Sequence, residues 1–378
     1  AQQLATYIGW LMHRRLGGLV AGGLFVLPSL AILILLSWLY VKFGQTTLIA
    51  GMFHGIKPAV TAIVLFAAYR LGSRVLRNAW LWSIAGAAFV AIFFLDITFP
   101  AIVGAAALLG YLGGRFVPDA FQLTARHEHS KRGQAPAVID DDTPPPAHAR
   151  FSWRKSMALA GAGLLLWGVG LTALGLGFGW HTTFAQMGWF FTKAALLTFG
   201  GAYAVLPYVY QGAVDHYQWM TPLQMIDGLA LGETTPGPLI MVVAFVGFVG
   251  AWSKAALGAG ALVAAGVTGA LVATFFTFLP SFVFIFAGAP LVEATRGDLR
   301  FTAPLTGISA AIVGVIVNLA CFFAYHVFWP YGLGGAVDWL AIVIAAAAAV
   351  GLLRFKAGVI PVILTSAAVG ALWGLLHA

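Results

Sequence analysis

Residues 19–29 read Leu-Val-Ala-Gly-Gly-Leu-Phe-Val-Leu-Pro-Ser, and residues 271–281 read Leu-Val-Ala-Thr-Phe-Phe-Thr-Phe-Leu-Pro-Ser. The offset between the two prolines is 280 − 28 = 252 residues, and the same offset relates Gly55 to Gly307. Both copies lie in apolar sequence that is almost free of charge. A duplicated apolar unit is typical of secondary transporters, which place the substrate site between their repeats. The repeat therefore predicts two related halves of a membrane protein that moves a solute across the bilayer.

The composition indicates the same class of protein. Hydrophobic residues make up 61% of the chain and charged residues 8%, whereas about a quarter of the residues in a soluble domain are charged. The charge-free runs 16–41 and 255–292 exceed the roughly 20 residues that a helix needs to cross a bilayer. The net charge of +8 comes mostly from short clusters between apolar runs, as topology signals do. We therefore expect an all-α polytopic protein in contact with the lipid bilayer and no binding of nucleic acid.

The apolar runs predict eleven transmembrane spans. They lie at residues 19–41, 56–76, 79–95, 98–114, 157–178, 184–210, 222–250, 258–287, 303–328, 336–353 and 357–376. The break after the fourth span is polar and rich in proline, which is typical of a flexible linker. The predicted organisation is a first transporter repeat at 1–114, a cytoplasmic linker at 115–155 and a second transporter repeat at 156–378.

The basic clusters predict how the spans are oriented. With residues 13–15 (His-Arg-Arg) in the cytoplasm, a crossing span at 222–250 also places the later clusters at 296–300 and 354–356 inside. A re-entrant 222–250 would place both of those clusters outside, so we expect that segment to cross. Seven crossings then separate equivalent spans, and an odd number means that the repeats are inverted relative to one another. The run 255–292 is predicted to be one long helix bent at Pro280.

Two segments interrupt the apolar helices. Residues 199–207 read Phe-Gly-Gly-Ala-Tyr-Ala-Val-Leu-Pro, and residues 232–241 read Gly-Glu-Thr-Thr-Pro-Gly-Pro-Leu-Ile-Met. Proline breaks the helical hydrogen-bond ladder, and irregular backbone at membrane depth presents amide N–H groups and helix N-termini that suit an anion. The alternative is a structural kink that relieves helix packing. The candidate residues for substrate binding or coupling are Gly200, Gly201, Tyr203, Glu233, Thr234, Thr235, Pro236, Gly237 and Pro238.

Isolated polar residues add to this candidate site. Glu233 is the only acid between Asp227 and Glu293, and an intramembrane carboxylate marks an ion or proton pathway or a hydrogen-bonded helix end. Coupling or gating suits it better than direct binding, because a carboxylate repels an anion. Lys193, and likewise Lys57, either attracts an anion or extends to the membrane interface. Gln2 and Gln3 replace apolar residues of the second copy, which indicates an asymmetric site.

These motifs resemble the chromate ion transporter family in its two-domain bacterial form. The similar stretches are 199–207, 232–248, 1–10 (Ala-Gln-Gln-Leu-Ala-Thr-Tyr-Ile-Gly-Trp) and 17–28. The resemblance implies an inner-membrane protein that exports chromate and confers chromate resistance, with sulfate as a related oxyanion. Members of the family carry a Phe-Gly-Gly element and a Pro-Gly-Pro element ahead of the Ala-Gln-Gln run. Since neither precedes Ala1, we expect the N-terminal portion of the family pattern to be missing here.

Other functions are less consistent with the sequence. No His-Glu-x-x-His or Gly-x-Ser-x-Gly motif is found, the nine histidines do not cluster, and Cys321 is the one cysteine. We therefore expect no enzyme activity, no cofactor and no metal site. A passive anion channel and a transporter of sulfate or another oxyanion remain alternatives, and so does a homodimer.

Overall fold

The computed structural model describes residues 2–121, 147–149, 151–198, 202–294 and 302–377. Within these ranges the chain is helical and has no β-strand, which confirms the predicted all-α class. The α-helices are α1 Gln2–Phe43, α2 Thr47–Val75, α3 Ala79–Leu95, α4 Phe99–Phe116, α5 Pro118–Phe121, α6 Trp153–Phe178, α7 Thr183–Leu196, α8 Ala202–Tyr210, α9 Pro222–Thr234, α10 Val242–Ser253, α11 Leu262–Ala294, α12 Thr302–Phe328, α13 Trp339–Leu353 and α14 Val359–Leu376. A π-helix, Gln211–His216, continues α8, and 3-10 turns occur at Ala147–Ala149, Leu239–Met241 and Ala259–Ala261.

Helix α1 is a hairpin of two helices. Non-helical backbone at His13 and Arg14, where φ is 57° at Arg14, reverses the chain. Residues 2–12 then run antiparallel to residues 15–43. Gly9 packs so closely on the backbone of Gly17 that a Cβ at either position would overlap the other. Small residues permit this close approach of helices within lipid.

The second half repeats this hairpin in α10 and α11. Gly247 packs on the backbone of Gly269 in the same way, and 269 − 17 = 252 is the offset read from the sequence. The apolar run 255–292, predicted to form one helix, forms the single helix α11 from Leu262 onward, with Pro280 inside it, whereas the residues before Leu262 form turns and a 3-10 turn. The sequence repeat is therefore also a structural repeat.

Two of the eleven predicted spans do not cross the membrane as single helices. Residues 184–210 form α7 and α8, and the rings of Phe190 and Tyr208 stack with their centroids 5.0 Å apart. These rings are 208 − 190 = 18 residues apart, which along a continuous helix would be about 27 Å. Helices α7 and α8 therefore form a hairpin, which we call the first re-entrant hairpin.

The predicted span 222–250 is likewise a hairpin of α9 and α10, the second re-entrant hairpin. A Cβ at Gly228 would meet the ring of Phe245, and one at Gly232 would meet Val242. Contacts between positions this far apart require antiparallel helices. The cause is the Thr-Thr-Pro-Gly-Pro sequence, which ends α9 and reverses the chain rather than bending a continuous helix.

The inversion of the repeats survives this correction. Seven described helices are long and apolar enough to cross a membrane, namely α1, α2, α4, α6, α11, α12 and α14. With the shorter apolar helices α3 and α13 they give nine candidate crossings in the described chain. Helix α11 comes five crossings later in the chain than its equivalent, residues 15–43 of α1, and five is again an odd number. The sequence argument took both segments as crossing spans, which is wrong, but because both are re-entrant the number of crossings falls by two and the later basic clusters stay on one face.

We call this the basic face, because Arg15, Arg74, Arg115, Arg154 and Arg354 lie at helix ends there. Both re-entrant hairpins enter from the opposite face. Helix α9 has 13 residues, which is about 20 Å, so its tip lies inside a hydrocarbon core that is about 30 Å thick.

Helices of the two halves interlock rather than forming separate bodies. Gly51 and Gly55 of α2 pack on the backbone around Gly370 of α14, and Gly307 of α12 packs on Ala106 of α4. The predicted boundaries of the two transporter repeats, at residues 114 and 156, stay predictions. In the structure, α4 ends at Phe116 and most of the predicted linker lies outside the described residues.

Candidate functional site

The tip of the second re-entrant hairpin is formed mainly by backbone. Thr235 is extended (φ −82°, ψ 131°), as the residue before a proline tends to be, and Gly237 has a φ of 137°, which favours glycine. Pro236 and Gly237 are exposed, although they lie at membrane depth, and Pro238 is buried. The tip is thus a piece of irregular backbone that the rest of the described chain leaves uncovered.

Two threonines satisfy carbonyl groups at the end of α9. The Thr235 hydroxyl donates to the Leu231 carbonyl at 2.7 Å, and the Thr234 hydroxyl donates to the Ala230 carbonyl at 3.1 Å. Carbonyls in the last turn of a helix have no N–H partner within the helix. These side chains therefore cap α9 from within and are not directed at a ligand.

The first repeat holds the tip in place through Ser29. This serine follows Pro28 in α1, is 1% exposed, and donates a hydrogen bond to the carbonyl of Pro236. A Cβ at Gly237 would overlap the Ser29 side chain. The tip is consequently fixed by a contact between the repeats, as expected for a site at a repeat interface.

Tyr203 and Glu233 join the tips of the two re-entrant hairpins. Tyr203 is the second residue of α8, and its hydroxyl donates to Oε1 of Glu233 near the end of α9. The Arg70 guanidinium of α2 lies close enough to Tyr203 to act on its hydroxyl electrostatically. Gly200 and Gly201 lie outside the described residues. The predicted Tyr203 and Glu233 are therefore brought together, and a cation approaches them from the basic face.

Two half-helices begin at these tips. Helix α8 starts at Ala202, and the 3-10 turn at Leu239–Met241 leads into α10. The first N–H groups of a helix lack partners within it and carry the positive end of the helix dipole. Such N-termini bind anions, and at membrane depth they do so where the backbone lines a cavity. This arrangement suits a small oxyanion.

The first repeat supplies side chains at the equivalent place. Gln3 donates to Oγ of Ser281 at 3.3 Å, and Ser281 is the repeat equivalent of Ser29. Gln2 is 4% exposed and donates to Thr6 within its own helix. Gln3 therefore reaches the partner helix, as the predicted asymmetric site requires, whereas Gln2 is tied locally.

Lys193 lies in the last turn of α7, which leads to the tip of the first re-entrant hairpin. It lines a cavity of about 1410 Å³ between α3, α7, α8 and α12, together with Asp215, His326 and Asn318. Its ammonium lies 5.8 Å from the centre of the Trp189 ring. Lys193 is thus a residue of this outer cavity, which opens toward the face opposite the basic one.

The sequence analysis missed three functional candidates. Ser29 is the polar residue of the duplicated Leu-Pro-Ser motif, and Arg70 belongs to the basic residues between apolar runs, which were interpreted together as topology signals. Asp227 is an acid in an apolar helix like Glu233, and the same reasoning would have found it. Asp227 is 3% exposed and pairs with Lys57.

Comparison with known proteins places the chain in a family. The model of the chromate transporter family matches residues 1–111 and 185–371. The chain is 28% identical to a chromate transport protein of Cupriavidus metallidurans over 380 residues, which cover 100% of this chain and 80% of that protein. It is 33% identical to a chromate transport protein of Pseudomonas aeruginosa over 84% of this chain and 66% of that one. A probable chromate transport protein of Synechococcus elongatus is 27% identical over 84% of this chain and 69% of its own length. No solved structure matches the chain.

Proposed function

This chain belongs to the chromate transporter family, and from that premise we propose that it carries chromate across the membrane past the tips of its two re-entrant hairpins. The observation that carries the proposal is the convergence of two half-helix N-termini, those of α8 and α10, at an exposed backbone tip inside the membrane. Backbone N–H groups can coordinate a tetrahedral dianion without the desolvation cost of a buried lysine or arginine. Sulfate, which has the same shape and charge, is part of the proposed substrate class.

Glu233 is proposed to gate this route. Its carboxylate repels an arriving anion, and Tyr203 holds it by a hydrogen bond that joins the two tips. Movement of either hairpin changes this contact, so anion passage and hairpin position become linked. Arg70 supports entry from the basic face by attracting the anion toward the tips.

The orientation and setting follow from the charges. We assign the basic face to the cytoplasm under the positive-inside rule and the protein to the bacterial inner membrane, where it serves export and chromate resistance. A homodimer would form through α6, whose apolar side is largely exposed, with Gly161 and Gly168 open on its surface. Disulfide trapping between copies with a cysteine at position 161, in a Cys321→Ser background, tests this contact.

The experiment for transport is counterflow in everted membrane vesicles. Vesicles loaded with unlabelled chromate or sulfate should take up labelled anion faster than empty ones, and the rate should saturate with concentration. A passive anion channel shows neither saturation nor acceleration by anion on the other side. Vesicles that contain the protein and take up no chromate would refute the proposal.

A further inference from the structure

A buried polar cluster, which the proposed transport route does not use, joins the two repeats. Asp227 of α9 lies between Lys57 of α2 and Tyr40 of α1. Its Oδ2 is 3.6 Å from the Lys57 ammonium and accepts a hydrogen bond from the Tyr40 hydroxyl at 2.9 Å. The side chain of Asp227 is 4% exposed and that of Lys57 is 22% exposed. The cluster is thus an ion pair within the protein interior.

One atom of this cluster is unused. Oδ1 of Asp227 is buried and accepts no hydrogen bond from any residue that the structure describes. Helix α9 packs against α1, α2, α10, α12 and α14, and α10 and α14 contain no titratable residue. Of the described titratable residues on the other three helices, Tyr40 and Lys57 contact Asp227, His54 pairs with Asp338, and Cys321, Tyr325 and His326 line the outer cavity.

Whether Asp227 can be protonated depends on an anion bound nearby, because the charges of the buried pair must stay balanced. As it stands, one carboxylate offsets one ammonium. A proton on Oδ1 would remove the negative charge and leave the Lys57 ammonium without a counter-ion, which is strongly unfavourable in a buried place. An anion bound nearby restores the balance. By linkage, proton binding at Asp227 and anion binding must then favour each other.

The pair lies close enough to the tips for this coupling. Asp227 and Glu233 are 233 − 227 = 6 residues apart in α9, which is about 9 Å along the helix. Charges interact strongly over this distance where water is excluded. Because the pair joins α9 to α1 and α2, its state also affects how firmly the second re-entrant hairpin is held.

We propose that Asp227 and Lys57 form the proton-coupling site of the transporter, an inference that rests on the proposed function. Oδ1 of Asp227 takes up one proton from water when an oxyanion binds at the tips, and it returns that proton when the anion leaves. Lys57 keeps its proton throughout and becomes the counter-ion of the bound anion. Proton uptake at Asp227 and oxyanion binding at the tips are therefore coupled.

The test measures protons taken up on anion binding. The full chain is purified, placed in nanodiscs in weakly buffered solution at pH 8, where chromate is a dianion, and titrated with chromate in the presence of a pH indicator dye. We expect about one proton to be taken up per chromate bound. We also expect the affinity to fall about tenfold for each unit of pH increase in the range where the site titrates, as one linked proton requires.

Asp227→Asn should bind chromate without taking up a proton, and its affinity should not vary with pH. The matched control is His54→Gln. His54 also joins α2 to the second repeat, through Asp338 at 3.3 Å, but its side chain is 40% exposed, so this variant should behave as the unaltered protein does. If Asp227→Asn does not fold, Lys57→Gln/Asp227→Asn replaces the whole pair by neutral groups, which proteins tolerate better than a broken pair.

The outcomes separate the two proposals. If the unaltered protein binds and transports chromate without proton uptake, the coupling site is refuted and the transport function stands. The coupling site is also refuted if the double variant still takes up a proton. If the unaltered protein neither binds nor transports an oxyanion, the transport function itself fails.

Discussion

Ser29 and Ser281 occupy equivalent positions in the two repeats, each directly after a proline, but they make opposite hydrogen bonds. Ser29 donates to a backbone carbonyl at the hairpin tip, whereas Ser281 accepts from the Gln3 side chain. The helix hairpins around them are alike, because glycine packs on glycine at Gly9 and Gly17 as it does at Gly247 and Gly269. The difference indicates that duplication kept the packing and let the polar chemistry diverge.

The largest effect should come from the backbone tip, which only the second repeat shows in the described chain. In Gly237→Ala the new methyl group overlaps Ser29, and the φ of 137° disfavours alanine. We expect transport per molecule in the membrane to fall about a hundredfold or more, since small misplacements of a site cost that much.

The controls for this prediction are Gly161→Ala and Gly168→Ala in α6, where no atom lies within 4 Å of an added Cβ. Both should transport normally. A full rate per molecule in Gly237→Ala would mean that the tip is a packing kink and not an anion site.

The second effect concerns the contact between the two hairpin tips. Glu233→Gln should leave the protein in the membrane and remove export, because the contact that joins the two tips loses its carboxylate. Tyr203→Phe removes a hydrogen bond to a charged group, which contributes about 1.5 to 3 kcal/mol, equivalent to about a 10- to 100-fold change in rate. Transport in vesicles measures both. A full export rate per molecule in Glu233→Gln would show that this residue is structural.

The third prediction concerns the close glycine packing that the two repeats share. Gly9→Ala and Gly247→Ala each force a methyl group against the backbone of a neighbouring glycine. Overpacking of this kind costs about 1 to 3 kcal/mol of stability. Both variants should lower the amount of folded protein to a similar extent while the rate per folded molecule is kept, as thermal unfolding and quantified vesicles would show. A loss in only one repeat would contradict the shared packing.

The smallest effect should separate the two serines. Ser29→Ala leaves the Pro236 carbonyl without its donor and should slow transport several-fold, because a neutral hydrogen bond contributes about 0.5 to 1.5 kcal/mol. In Ser281→Ala the Gln3 side chain loses its acceptor. Because Gln3 is exposed and can bond to water instead, the effect on transport should be close to zero. Equal losses of transport rate in the two variants would show that the two equivalent serines have the same function.

Much of the fold and part of the site could be predicted from the sequence. Composition predicted the all-α membrane protein that the structure confirms, and the repeated Leu-Pro-Ser predicted two halves, because both inferences depend only on hydrophobic content and on residue order. The Thr-Thr-Pro-Gly-Pro segment predicted a helix break because proline and glycine act through local backbone geometry. Glu233 was found because a carboxylate in an apolar run is conspicuous.

Only the tertiary structure decided what these local features do. A helix break allows either a bend or a reversal, and the choice depends on packing between distant residues such as Gly228 and Phe245. The same holds for Lys57 and Asp227, which are far apart in sequence and became a buried ion pair when α2 and α9 met. The sequence determines which polar groups need a partner away from lipid and where a helix must end. Which residue becomes that partner is decided only when the helices pack together.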